Sequence, residues 1–226
     1  MTDLAGAAIA FDLDGTLVDT APDLHRALNH VLVEEGLPET SLVSVRAFVG
    51  HGARALIRRA ASAHGRLYED ARLDALTEAF VEVHASDIAG FSKVFDGVEE
   101  TLRSLAASGA RLCVCTNKRT GLSNQLLEAV GLSGHFAAVI GADSVPKAKP
   151  DAGHLLAAIQ AIGGDPARSL MVGDSISDVG TARNAGAPVI LVTFGYTDTP
   201  AEQLGADAVI SHYSQLPALV RTWIRR

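Results

Sequence analysis

Two rhythms of apolar residues divide the chain. From Leu4 to Phe11 nearly every residue is apolar and the run stops at Asp12, which predicts a short buried strand closed by the polar turn Asp12-Leu13-Asp14-Gly15-Thr16. The period then turns helical. Leu24, Leu28, Val31 and Leu32 recur at helical spacing behind Thr20-Ala21-Pro22-Asp23, which reads as a Thr-x-x-Asp cap with proline near the first helical position, and Gly36 closes the helix. Helical patterns continue over about Leu42 to Val49, Ala53 to Ala63 and Ala71 to Ala85, separated by Gly50, Gly52 and Gly65, with no strand signal among them.

Beyond Gly97 the pattern alternates. Strands are predicted at Arg111 to Thr116, Ala137 to Gly141, Ser169 to Gly173, Pro188 to Thr193 and Ala208 to Ile210. Between and after them helices are predicted at Thr120 to Val130, Ala152 to Ile162, Asp178 to Ala185 and Leu216 to Trp223. Alternating strands and helices imply a parallel sheet. The expected fold is therefore α/β: a Rossmann-like parallel-sheet core over residues 1–19 and 92–226, interrupted by an all-helical insertion over residues 20–91. Leu17 to Asp19 and Gly90 to Gly97 are the expected connecting strips.

Composition narrows the class. A chain of 226 residues, 48% hydrophobic and 20% charged, can bury a substantial core, and no apolar run reaches the ~18 residues of a membrane span. Leu4 to Phe11 is short and lacks a basic flank, so it is read as a strand rather than a signal peptide, and the cytoplasm is the expected compartment. The formal net charge of -7 speaks against general nucleic-acid binding. Cys113 and Cys115, the only cysteines, are assigned to opposite faces of one strand, as core residues without a disulfide, and the histidines show no zinc spacing.

Candidate chemistry gathers where strands end. Asp12 and Asp14 follow the first strand, Thr116 and Asn117 the second, and Gly173-Asp174-Ser175 a later one. Right-handed crossovers bring such ends to one sheet edge. Lys149, ahead of Pro150, can join them from a loop, and Asp178 lies four residues past Asp174. Carboxylates as close as Asp12 and Asp14 repel unless a cation or a shared proton relieves them, so the pair asks for a metal or for proton transfer. Plainer roles stay open at this point: an acidic turn, Thr116 or Asp174 as helix caps, Asp178 as a first-turn acid, and Lys147 and Lys149 as solvated lysines.

In order, Asp12-Leu13-Asp14-Gly15-Thr16, Cys115-Thr116-Asn117, Lys149-Pro150 and Gly173-Asp174-Ser175-Ile176-Ser177-Asp178 resemble the four motifs of the haloacid dehalogenase superfamily of phosphohydrolases. The helical insertion resembles the C1 cap of that family, and Val49-Gly50-His51-Gly52 makes its style most similar to the phosphoglycolate phosphatases. The resemblance implies Asp12 as nucleophile and Asp14 as general acid and base. It implies Mg²⁺ held by Asp12, the Asp14 backbone carbonyl and Asp174, with Thr116, the Asn117 N–H and Lys149 on the phosphoryl group. Asp178 would support Lys149 or a metal-bound water, and His51 would reach a small carboxylate from the cap, unless its loop is a plain helix–helix turn. One departure is Ala152, where a second proline is common.

The implied activity is Mg²⁺-dependent hydrolysis of a small phosphate monoester, 2-phosphoglycolate first, by a monomer or homodimer with no nucleic-acid or membrane partner. Alternatives on the same scaffold are a β-phosphoglucomutase-like phosphotransferase and a pyrophosphatase. Outside enzymes, the alternative is a receiver-like phosphate-binding module.

Overall fold

The first apolar run becomes strand β1 (Ala8–Phe11), buried along its whole length as a strand covered on both faces must be. The computed structural model describes residues 3–224. After β1 come β2 (Val18–Asp19) and helices α1 (Ala21–Glu34), α2 (Leu42–Phe48), α3 (Ala53–Ala63) and α4 (Asp70–Ser86). Next are β3 (Lys93–Val94), α5 (Val98–Ala107), β4 (Arg111–Cys115), α6 (Thr120–Ala129), β5 (Ala138–Ile140) and α7 (Ala152–Ala161). The chain ends with β6 (Ser169–Gly173), α8 (Ile176–Ala185), β7 (Val189–Val192), β8 (Ala208–Ile210) and α9 (Leu216–Ile224).

Six strands form one sheet in the order β5-β4-β1-β6-β7-β8, and every neighbouring pair is parallel. Side chains alternate across it. Ile9, Phe11, Leu112, Val114, Leu170 and Val172 meet residues of α5, α6 and α9 on one face, while Ala8, Ala10, Met171, Val189 and Leu191 meet α7 and α8 on the other. Cys113 and Cys115 both lie in this second layer. That corrects the expectation that they face opposite ways, because residues two apart on a strand share a face. Both are free thiols, and burial pushes Cys113 up to about 12 and Cys115 higher.

The insertion has its own core, in which Leu28, Leu32, Ile57 and Phe80 pack together apart from the sheet layers. Its connecting strips pair as antiparallel strands, Val18 with Val94 and Asp19 with Lys93. Thr20 is the N-cap of α1, but the expected Thr-x-x-Asp box does not form. Thr20 has helical rather than extended backbone angles (φ -98, ψ -6), and its buried hydroxyl has no hydrogen-bond partner. Asp23 instead accepts from the Phe91 N–H at 3.1 Å and the Ser92 hydroxyl at 2.6 Å, tying the entry of the insertion to its exit.

Two elements differ from the sequence reading. Helix α5 falls where no element was expected, although Val98, Leu102 and Leu105 are buried at helical spacing and Glu99 and Glu100 occupy the favourable first turn. Helix α8 starts at Ile176 rather than Asp178, because Ser175 is its N-cap. Among the described residues no helix is long and apolar enough to cross a membrane.

Candidate active site

Strands β1, β4 and β6 lie side by side and parallel, so the polar residues after each emerge at one edge. The Asp12 N–H extends the ladder by donating to the Val172 carbonyl at 2.9 Å, and the Thr116 N–H does so to Ile140 at 3.1 Å. Between Asp12 and Thr16 the chain must turn within touching distance of Asp174. Gly15 makes this turn with φ 80°, and a Cβ there would stand 2.4 Å from an Asp174 carboxylate oxygen.

At the edge lies a buried charge cluster. Lys149 Nζ sits between Asp12 Oδ1 at 2.9 Å and Asp178 Oδ1 at 2.7 Å. The other Asp178 oxygen accepts from the Asp174 N–H (3.1 Å), the Ser175 N–H (3.0 Å) and the Ser175 hydroxyl (2.8 Å). Asp174 accepts from the Thr16 hydroxyl at 3.2 Å and from the Tyr196 N–H at 2.6 Å. Asp12 Oδ1 also takes the Leu13 N–H at 2.8 Å, and among the described residues both of its bonded contacts fall on Oδ1.

Carboxylate oxygens of Asp12, Asp174 and Asp178 lie within 4.8 Å of one another. Burial, opposed by Lys149 and reinforced by Asp178, raises the Asp12 carboxyl to about 6. Burial and the charges of Asp178 and Asp12 also raise Asp174 well above the carboxylate range. For Lys149 burial acts against the charge, but Asp12 and Asp178 outweigh it and hold the ammonium protonated. One cation thus faces three acids, and the excess of negative charge on oxygen donors matches a hard divalent cation.

The two acids of the first turn part company. Asp14 points away from the cluster onto the wall of a cavity of about 400 Å³, where the Lys118 ammonium meets its oxygens at 3.0 and 3.3 Å. Thr116 and Asn117 line the same cavity. Thr116 Oγ1 accepts the Lys118 N–H at 3.2 Å, so its own hydrogen stays free to donate, and the helix cap belongs to Arg119 instead. The Asn117 side chain braces loops: its amide donates to the Gly50 and Lys149 carbonyls at 3.0 and 3.2 Å, and its oxygen accepts the Lys149 N–H at 3.0 Å.

From the insertion, His51 lines the cavity and meets the Ser177 hydroxyl at 3.5 Å. Arg54 also lines it, but its guanidinium is turned to Asp70 and Asp74 at 2.5 and 2.7 Å. The structure therefore brings Asp12, Asp174, Asp178 and Lys149 into one bonded cluster, sets Asp14, Thr116 and Asn117 beside it on the cavity wall, and leaves His51 on the insertion side.

Sequence reasoning missed three participants. Lys118 carried no signal beyond following Asn117. Tyr196 holds Asp174 through its N–H, while its hydroxyl donates to Asp19 and accepts the Ala21 N–H at 2.8 Å, so it joins the cluster to the start of the insertion. His154 is buried and orients the Lys149 backbone, accepting its N–H at 3.1 Å on Nδ1, which leaves Nε2 to donate to the Ile140 carbonyl at 3.0 Å.

A family model described as haloacid dehalogenase-like hydrolase matches residues 9–192. A protein of Caulobacter vibrioides named phosphoglycolate phosphatase is 54% identical over 215 residues, covering 95% of this chain and 91% of its own. One of the same name from Mesorhizobium japonicum is 45% identical, with 92% of each chain covered. Among solved structures, that of a predicted phosphoglycolate phosphatase from Haemophilus somnus superposes with a TM-score of 0.87 at 30% identity, over 96% of this chain and 98% of that one.

Proposed function

The chain belongs to the haloacid dehalogenase-like hydrolase family, and from that premise we propose that it is a Mg²⁺-dependent phosphatase that hydrolyses 2-phosphoglycolate through an aspartyl-phosphate on Asp12. The observation that carries the reading is the Asp12 carboxylate, held at Oδ1 by Lys149 and Leu13 while the residue lines the cavity. The names of the relatives support the choice of ester.

The donor set fits a divalent ion. Oxygens of Asp12, Asp174 and Asp178 lie close enough together to share one ion; by the family resemblance Asp12, Asp174 and the Asp14 backbone carbonyl would hold Mg²⁺, with Asp178 kept on Lys149 and Ser175. When bound, the ion draws charge from the phosphoryl oxygens and from the carboxylates around them.

The chain's own residues then divide the work. Asp12 attacks phosphorus, an O–P bond forms to its carboxylate, and the bond to the leaving alkoxide breaks. Asp14, on the cavity wall, gives that alkoxide a proton. A water next attacks the phosphoryl group while Asp14 takes its proton, the O–P bond to Asp12 breaks, and inorganic phosphate leaves. The free Thr116 hydroxyl hydrogen and the Asn117 N–H donate to phosphoryl oxygens, and Lys149 balances charge on Asp12 throughout.

The test is phosphate release from 2-phosphoglycolate in the presence of Mg²⁺. The wild type is expected to turn over, and both Asp12→Asn and an excess of EDTA to stop it. Appreciable release by the folded Asp12→Asn variant, or by wild type in EDTA, overturns the mechanism.

A further inference from the structure

One group in the cavity wall has no part in the chemistry above. His84, near the end of α4, lines the cavity and is fully buried, yet among the described residues neither ring nitrogen has a hydrogen-bond partner. Buried polar side chains are normally paired, and an unpaired imidazole inside a cavity is destabilising until something meets it. Its ring is stacked on Phe80 with centroids 5.9 Å apart. Burial, with the positive charges of Lys118 and Arg26, pushes His84 down to about 2, so the ring is neutral and offers one N–H donor and one acceptor.

The cations of the wall narrow what could meet the donor. Arg54 is committed to Asp70 and Asp74, and Arg119 to Glu78. The Lys118 ammonium has three donors, and its contacts to the two Asp14 oxygens leave at least one of them. A neutral N–H and a cation with a spare donor, in a cavity of about 400 Å³, select a small anionic acceptor. A neutral hydroxyl would gain only an uncharged partner's hydrogen bonds here, whereas a carboxylate adds a charge-assisted one from the remaining Lys118 donor.

Resting on the phosphatase reading, we propose that His84 is a specificity-determining residue: its imidazole N–H, together with Lys118, takes a carboxylate on the leaving-group end of the substrate. Recognition of that carboxylate thus comes from α4 of the insertion and from the loop after β4.

The test compares 2-phosphoglycolate with 2-hydroxyethyl phosphate, in which a hydroxymethyl group replaces the carboxylate, for wild type, His84→Leu and His84→Gln. His84→Leu is expected to lower kcat/KM on 2-phosphoglycolate by about 10- to 100-fold, mainly through KM, and on 2-hydroxyethyl phosphate by less than about 3-fold. His84→Gln, which restores an N–H, is expected to recover part of the loss. Equal losses on both esters, or none on 2-phosphoglycolate, overturn the assignment of His84 alone.

Inhibition of the wild type keeps the inference testable should His84→Leu fail to fold. Glycolate is expected to compete better than ethylene glycol, and equal inhibition overturns the carboxylate site. A wild type that hydrolyses 2-hydroxyethyl phosphate but not 2-phosphoglycolate overturns the substrate reading, and this inference with it.

Discussion

Lys149 and Arg54 each bond two carboxylates, one cation on the sheet side of the cavity and the other on the insertion side, with opposite consequences. The Lys149 side chain is 0% exposed and touches Asp12 and Asp178, which are nearly as buried. Arg54 is 38% exposed, and its partners Asp70 and Asp74 are 91% and 64% exposed. Water screens the second pair and cannot reach the first, so removing Lys149 would strand acids in a medium that cannot solvate them. The contrast extends to neighbours. On the sheet side Asp178 and Asp174 are bonded to backbone N–H groups and hydroxyls, whereas on the insertion side the buried His84 has no partner. On the proposed reading, the groups that act on the phosphate are held in place in advance, and the group assigned to the variable end of the ester is left for the substrate to satisfy.

The hardest blow to this contrast would be symmetrical behaviour of its two cations. Lys149→Met in metal-free buffer is expected to lose about 3–5 kcal/mol in urea unfolding, with turnover falling alongside, because a buried ion pair loses one partner. Arg54→Met should leave the unfolding midpoint close to wild type. Equal shifts would mean that the sheet-side cluster is solvated after all.

Next in size is the division of labour within the first turn. Asp14→Asn is expected to cut kcat by about 10² to 10⁴ through loss of proton transfer. Mg²⁺ affinity, read by isothermal titration, should stay near that of wild type, since the side chain points to Lys118 rather than into the acid cluster. A parallel collapse of Mg²⁺ binding would place the Asp14 side chain among the ligands.

The smallest expected effect concerns acid stability. His84 is held near 2 in the folded protein, against about 6.5 when unfolded, so only the unfolded state takes up its proton as pH falls below about 6.5. The penalty is absent above that pH. By pH 5 it reaches about 2 kcal/mol of lost stability, which His84→Leu should not suffer. Urea midpoints of both proteins between pH 7 and 5 give the comparison, and parallel curves would show that the ring is protonated in the fold.

Much of the sheet side was legible because it is local. An apolar run ending in Asp12, another ending in Thr116 and a third ending in Asp174 each mark a strand end within a few residues. The helical spacing of Val98, Leu102 and Leu105 and the shared face of Cys113 and Cys115 are equally local signals. Lys118 was not legible in this way. It meets Asp14 across 104 residues, and nothing around it distinguishes it from a solvated lysine. Tyr196 reaches Asp174 by its backbone N–H, which every residue but proline possesses.

The sequence by itself determined the alternation of strands and helices, the interruption by a helical insertion, and the placing of Asp12, Thr116 and Asp174 at strand ends, because apolar periodicity and chain direction are properties of short segments. Tertiary structure alone decided which charge meets which. Asp12 and Asp14, two residues apart, ended on different cations, Lys149 in the buried cluster and Lys118 on the cavity wall. It also decided that Arg54 is spent on its neighbours in α4 while His84 is left without a bond. Hydrogen bonds act over about 3 Å, and only the packed chain brings distant residues that close.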